Sequence, residues 1–330
     1  MGVAMPGTVD VVQWAQERGE IGGVLTSHLQ LTAQLQAEGR VVRYVDTGSL
    51  RRAVPALRGL WRHRCLHLLH ITRLWRAAVL APVLGALPGR CVLVLHSGSV
   101  GRQLSGMRGW RSWGVRAALH AYDEIWAVNG EIATQLPKGL ARRVRVVTPF
   151  SPPVESGGTH APSRDATLVS VSTNAGQPHY NTDLALEAVR LVRERRPEMR
   201  LRILAYGHDG AGLGELRRKV SDVPWVQLTF DASSAEVADV LRRSAVFLRP
   251  TSWDGDSVVV REAVALGTRV VASDVAPRPA GVELASLDAE SFALAVLEGG
   301  RLSDGSGLAE QSLLQAAVAS LALVRPAQPS

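Results

Sequence analysis

Short apolar runs alternate along this chain with stretches whose apolar residues recur at helical spacing. In the first half the runs are TVDVVQW (8–14), VVRYV (41–45), CLHLLHI (65–71), CVLVLH (91–96), EIWAV (124–128) and VRVVT (144–148). Runs of this length and composition predict strands. Between the first two lies GVLTSHLQLTAQLQAEG, with Leu25, Leu29, Leu31 and Leu35 near helical spacing and Gly39 as a stop, which predicts a helix. Continuously apolar strands separated by helices imply a parallel sheet covered on both faces.

The alternation breaks at PFSPPVESGGTHAPSRD (149–165), which has no period and is rich in Pro, Gly and Ser. It reads as a linker. The pattern then restarts, with strands at 166–172, 201–206, 225–230, 245–250 and 269–273. Helices are expected at 182–195, 213–220, 234–243 and from about 257. The expected organisation is an N-terminal Rossmann-like domain over 1–150, a linker at 151–165 and a C-terminal Rossmann-like domain over 166–305. A last segment, 306–330, holds a helix (AEQSLLQAAVASLALV) able to cross back to the first domain. Two doubly wound parallel sheets joined by a hinge would face each other across a cleft, with ligands beyond the carboxyl ends of the strands.

Composition narrows the classes. The 330 residues are 46% hydrophobic and 20% charged, enough for two cores and against global disorder. Cys65 and Cys91 sit singly inside apolar runs, which argues against a disulfide framework or a zinc site and fits a reducing cytoplasm. The longest apolar run, AAVLAPVLGALP (77–88), is too short for a bilayer core, which needs about 20 residues. No signal peptide is expected. The net charge of +7 is uneven: residues 1–150 hold 19 Lys and Arg against 8 Asp and Glu, residues 151–330 hold 18 against 22. A basic first half points to anionic partners, although a solvated surface reads the same way.

Chemistry concentrates in PTSWDGDSVVVREAVALG (250–267). The strand before it ends in the loop TSWDGD, and a helix follows with Asp256 or Ser257 as N-cap. A helix N-terminus at a strand's carboxyl end suits a phosphate, through free N–H groups and the helix dipole. Glu262, about a turn and a half in, could accept a ribose hydroxyl, and Asp254 could reach whatever lies beyond the phosphates. An ordinary capped helix with acids near its start has the same spacing.

This stretch, D-G-D-S-V-V-V-R-E-A-V-A-L-G-T-R-V-V-A, resembles without a gap the signature of the retaining GT-B glycosyltransferases of family 4 (glycosyl transferases group 1). That signature has two glutamates separated by seven residues in E-G-F-G-L-V-x-x-E-A-x-A-x-G-x-P-V-V-A. HSGS after the fourth strand, AYDEIWAVN, VRVVTPFSPP and LAYGHDGAGLGEL extend the likeness over most of the chain. The resemblance implies a GT-B fold and a hexosyltransferase-like enzyme. It would move a sugar from a nucleoside diphosphate sugar to a glycan or lipid-linked acceptor, with retention of configuration, no metal and no other cofactor. It further implies a role in cell-envelope polysaccharide synthesis and a place in the cytoplasm, at most peripheral at the inner face of the membrane.

By resemblance Glu262 binds the ribose, Asp254 contacts donor-sugar hydroxyls, Gly255 and Asp256 bind the donor in sugar and cap roles, and Ser257 and Val258 offer backbone N–H groups to the diphosphate. Gly22 and Gly23 match the family's glycine pair near the phosphates, and His96 matches a histidine near the reacting sugar. An alternative for His96 is a structural bond to a loop carbonyl; His70 is expected in a structural or cleft-lining role, and His28, on the first helix, at the surface or in packing rather than as a ligand. The family's Arg and Lys-Gly, which clamp the diphosphate, are absent. Asn174 stands near the Arg position and Tyr180-Asn181 replaces Lys-Gly. Neutral donors do not replace two charges, which leaves three readings: compensation by His179 or Arg261, a weakly held donor, or a degenerate, non-catalytic relative.

Two further segments stand out. In RQLSGMRGWRSWGVRAALH (102–120), Trp110, Trp113, Gly114 and Ala117 share a helical face flanked by Arg111 and Arg116, and RRAVPALRGLWRHR (51–64) adds five arginines and a tryptophan. Both suit a membrane surface, although tryptophans packed on the sheet with arginines in water would read alike. The other readings are a non-catalytic GT-B relative, a sugar-nucleotide epimerase, and a membrane-surface or nucleic-acid binder using only the basic half. No nucleic acid is expected as the partner of a transferase.

Overall fold

The structure is a computed structural model that describes residues 9–16, 23–48, 60–149, 163–207, 210–309 and 311–324. The chain forms two compact units. One contains Val24–Ser151 together with Leu308–Ser330, the other Pro152–Gly307.

In the first unit β1 (Val11–Ala15), β2 (Val42–Asp46), β3 (Cys65–Ile71), β4 (Gly89–Leu95), β5 (Glu124–Ala127) and β6 (Val144–Val146) form one parallel sheet in the order β2-β1-β3-β4-β5-β6. Every residue of β1 and β3 is buried, as expected of strands covered on both faces. Alternate strand residues serve opposite faces. Leu69, Ile71 and Leu93 pack on α2 (Leu74–Ala86), α3 (Val100–Gly106), α4 (Trp110–Leu119) and α5 (Gly130–Gln135). On the other face Leu66, Leu68, Val92 and Val94 meet Leu31 and Leu35 of α1 (Gly23–Ala37). Part of that second face is covered from the far end of the sequence. Leu313, Ala316 and Ala317, on the helix Leu313–Leu321, join the same cluster, and Thr148 bridges in parallel to Ser312.

In the second unit α6 (Thr182–Arg195), α7 (Gly210–Val220), α8 (Ser234–Arg243), α9 (Val258–Ala265) and α10 (Ala289–Glu298) flank a seven-stranded sheet. Its strands are β7 (Asp165–Asn174), β8 (Arg200–Tyr206), β9 (Val226–Phe230), β10 (Ser244–Arg249), β11 (Arg269–Ser273), β12 (Glu283–Ala285) and β13 (Arg301–Leu302). The order is β13-β12-β11-β10-β7-β8-β9, and β13 alone among these runs antiparallel. The strand order reverses between β7 and β10, which are direct neighbours. A doubly wound sheet binds ligands outside the carboxyl ends of the strands at such a switch point. The two loops that leave it are 175–181 and 250–257.

The expected linker lies outside the described residues as far as 162, and Asp165 already opens β7. Gly22 and residues 51–59 also lie outside them; Gly23 opens α1. Both cysteines are free and buried, and burial pushes their thiols up to about 11 and about 12, which keeps them protonated and inert.

Candidate donor site at the second sheet's switch point

Pro250 stops β10, and the chain turns through TSWDGD before α9 begins at Val258. Ser257 is the N-cap residue, yet its side chain makes no capping bond, and its buried Oγ has no partner among the described residues. The first-turn N–H groups of α9 have no intrahelical acceptor by construction. One uncapped end of a helix dipole therefore meets a spare hydroxyl. Asp256, expected as a cap, is instead bound to Arg261 Nε at 2.6 Å with its side chain 1% exposed. That pairing also occupies the arginine expected to compensate for the missing clamp, although Arg261 Nη2 is buried without a partner.

Asp254 departs from the role the family pattern implies. Its Oδ2 accepts from Arg249 Nε (2.8 Å), Arg278 Nη1 (2.8 Å) and Thr251 Oγ1 (3.3 Å). Its Oδ1 accepts from Arg249 Nη2 (3.1 Å) and from Gly255 N (3.1 Å). A carboxylate has about four lone-pair sites, so this one has no acceptor left for sugar hydroxyls, and the Gly255 N–H is likewise spoken for. Burial pushes the Asp254 carboxyl up, but Arg249 and then Arg278 overcome it and hold the group well below the usual carboxylate range. Arg278 is fixed further by bonds to Ser273 O, Ser273 Oγ and Thr251 Oγ1. Two buried guanidiniums thus share one carboxylate, which leaves one positive charge over.

The loop after β7 is bound to the same structure. Asn181 adopts a left-handed conformation (φ 47°) and donates from Nδ2 to Pro250 O and Ser252 Oγ, both at 2.8 Å. Ser252 N returns a bond to His179 O at 2.9 Å, and the His179 and Trp253 rings stack at 3.7 Å between centroids. Tyr180 lies under Arg249, whose Cζ is 4.8 Å from the ring centroid, and its hydroxyl meets Tyr206 Oη at 2.5 Å. Asn174 turns the loop by accepting from Gly176 N. Its Oδ1 would lie 2.5 Å from a Cβ at Gly207, whose φ of +117° already demands glycine. Asn174 and Tyr180 therefore belong to the walls of this site, and the charge there comes from Arg249 and Arg278, neither of which the motif's spacing marks.

Glu262 lies inside α9, and its carboxyl makes no hydrogen bond among the described residues. Burial alone pushes it up to about 7. A half-buried acid without a donor, one turn from an uncapped helix end, is an unfilled acceptor.

In the first unit His96 follows β4 and His70 lies near the end of β3. His70 Nδ1 and His96 Nε2 are 3.0 Å apart, one donating to the other. His28 on α1 lies 6.1 Å from His70 and stacks on Tyr44 at 5.3 Å. Burial lowers all three: His28 to about 4, His96 to about 3 and His70 well below its usual value. They are neutral imidazoles at neutral pH, which suits hydrogen bonding to hydroxyls rather than attraction of phosphate.

Residues 166–299 match the model of a family described as "Glycosyl transferases group 1". No curated protein matches the chain in sequence. Among solved structures the chain is similar to Anabaena Alr3699/HepE in complex with UDP and glucose. The two share 12% identity over 95% of this chain and 94% of that one, with a TM-score of 0.64. It is similar to the catalytic domain of starch synthase IV from Arabidopsis thaliana bound to ADP and acarbose, at 12% identity over 88% and 91%, with a TM-score of 0.60. It is also similar to TarM, at 11% identity over 78% of this chain and a TM-score of 0.53, and spans about half of TarM's length (49%). At these identities the likeness is one of fold: the chain has two parallel-sheet α/β domains, its structural neighbours are GT-B glycosyltransferases, and residues 166–299 match the glycosyl transferases group 1 model.

Proposed function

We propose that the chain is a glycosyltransferase that takes a sugar from a nucleoside diphosphate sugar and passes it to a glycan or lipid-linked acceptor, with retention of configuration. The observation that carries this reading is the N-terminus of α9. It lies at the switch point of the second sheet, with an unpartnered Ser257 Oγ, free first-turn N–H groups and the unpaired Glu262 one turn further on. That spacing suits a diphosphate against the helix end and a ribose on the carboxyl.

The chemistry follows from charge. When the sugar–phosphate bond breaks, negative charge grows on the leaving diphosphate, and preorganised donors aimed at it lower the barrier. Three sources are at hand: the helix end, the surplus guanidinium of the Arg249–Asp254–Arg278 cluster, and Arg261 Nη2. On this reading the arginines replace the clamp that the neutral loop 174–181 lacks. Transfer then needs no resident metal. Asp254 acts through the arginines rather than on the sugar. His96, neutral and tied to His70, is suited to bond a hydroxyl.

UDP and ADP occupy two of the similar structures, so UDP- and ADP-sugars head the panel of donors to test. The test is thermal stabilisation by UDP, ADP, GDP and TDP and by their sugars, followed by release of the nucleotide with and without acceptor. Binding raises the melting temperature by mass action. No response to any nucleotide at millimolar concentration overturns the reading. Conversion of the donor into an isomeric nucleotide-sugar without acceptor would favour an epimerase, and binding without turnover a non-catalytic relative, which the locked Asp254 and neutral loop favour. The anomer of the product, read by NMR, tests retention.

A further inference from the structure

We propose that α2 and α4 of the first unit together form a docking face for an anionic bilayer surface. From Thr47 to Tyr122 the sequence holds twelve arginines and no Asp or Glu. Within that span α2 and α4 pack against each other. The inner face of α2 (Leu74, Ala77, Ala81, Leu84) is buried in the core. Its outer face is Trp75, Val79, Pro82 and Ala86, at the i, i+4, i+7 and i+11 positions, and it is exposed and apolar as well. A helix that is apolar all round is normally covered on all sides. On α4 only Val115 and Leu119 are buried, while Trp110 is 78% and Trp113 74% exposed.

Large exposed side chains in a contiguous apolar patch mark an interaction surface. Charge names the partner. Arg111 Cζ lies 5.4 Å from the Trp110 ring and Arg76 Cζ 5.6 Å from the Trp75 ring, and Arg73, Arg102, Arg108 and Arg116 stand exposed on the same or adjoining elements. Tryptophan with arginine on a short apolar surface is the pattern of a helix that lies in the headgroup layer, rings toward the acyl chains and guanidiniums among the phosphates. Among the described residues no helix is long and apolar enough to cross a membrane, and α2 has only 13 residues. The face would therefore lie on the bilayer rather than span it. It does not depend on the transferase reading.

Sedimentation of the full chain with vesicles tests this, comparing phosphatidylcholine alone with equimolar phosphatidylcholine and phosphatidylglycerol. Binding is expected only to the anionic vesicles, with tryptophan emission shifted to the blue. The double variant Trp110→Ala, Trp113→Ala should lower the partition constant about tenfold or more. Both side chains are largely in water, so circular dichroism and melting should not change. Equal binding to both vesicle types, no binding to either, or anionic binding unaffected by the double variant each overturns the proposal. So does retention on polyuridylic acid as strong as on vesicles and unaffected by the tryptophan changes, which would mark a nucleic-acid patch instead.

Discussion

Arg278 Nη1 lies 2.8 Å from Asp254 Oδ2, across 24 residues of chain, with the arginine side chain 1% exposed and the aspartate 11%. Arg249 reaches the same carboxylate from the end of β10 at 2.8 Å. The acid that the family signature assigns to the sugar is instead the counter-ion of two buried cations.

Asp254→Asn should therefore act first on stability. It leaves two guanidiniums buried without their countercharge, and breaking a buried pair in this way costs about 3–5 kcal/mol. Urea unfolding of the variant measures it. A variant of unchanged stability that had lost only donor affinity would return Asp254 to the sugar.

Arg249→Gln removes the surplus charge while leaving the Arg278–Asp254 pair in place. The preference for a nucleoside diphosphate over its monophosphate should fall about tenfold, with Arg249→Lys between the two, because charge-assisted bonds to phosphate are roughly twice as strong as neutral ones. Calorimetric titration with UDP and UMP, or with whichever pair the wild type binds, reads the ratio. A ratio that stays constant while both affinities fall would mean that Arg249 only holds the fold.

Glu262 makes stability depend on pH. Its carboxyl is pushed up to about 7 from an ordinary 4.5. Between those values the folded state holds a proton that the unfolded state has released. The contribution is thus complete below 4.5 and lost as pH rises through 7, on the order of 3 kcal/mol in all. Glu262→Gln should flatten denaturation midpoints compared between pH 5 and pH 8. Ribose hydroxyls donate to the charged form, so nucleotide binding near pH 6.5 should release a proton, visible as a dependence of binding heat on the buffer's ionisation enthalpy.

The first unit should respond in the opposite sense. His28, lowered to about 4 by burial, has neither ring nitrogen bonded among the described residues. Below 6.5 the unfolded chain takes up a proton that the folded one refuses, so stability present above 6.5 is lost as pH falls toward 4. His28→Phe should gain stability relative to wild type at pH 5 compared with pH 8, whatever its offset at either pH. An equal offset at both values would show that the ring titrates normally.

Much of the fold is legible in the chain because its strands are long apolar runs with sharp ends. Cys65–Ile71, Arg269–Ser273, Thr182–Arg195 and Ser234–Arg243 lie where the pattern puts them. Helix Leu74–Ala86 shows in the sequence only as an apolar run, since it contains Pro82 and has no polar face to give it a period. The short strands after residue 280 carry too few residues for any pattern. At the site, the helix start and Glu262 follow from local spacing. The Arg278–Asp254 contact does not, because it joins two loops far apart in sequence. A signal was present all the same: Arg249 closes the apolar run AVFLR, and an arginine in a buried strand requires a countercharge nearby.

The packing of Leu313, Ala316 and Ala317 onto the first sheet sets an order for biosynthesis. A ribosome completes strands β1 to β6 early, but Leu66, Val92 and Trp126 wait for a lid made after residue 307. At about 5–20 residues per second the whole second unit is translated in between, a delay on the order of ten to thirty seconds. During it the sheet's open face is a surface for chaperones or for aggregation. The half of the protein translated first is the half that finishes folding last.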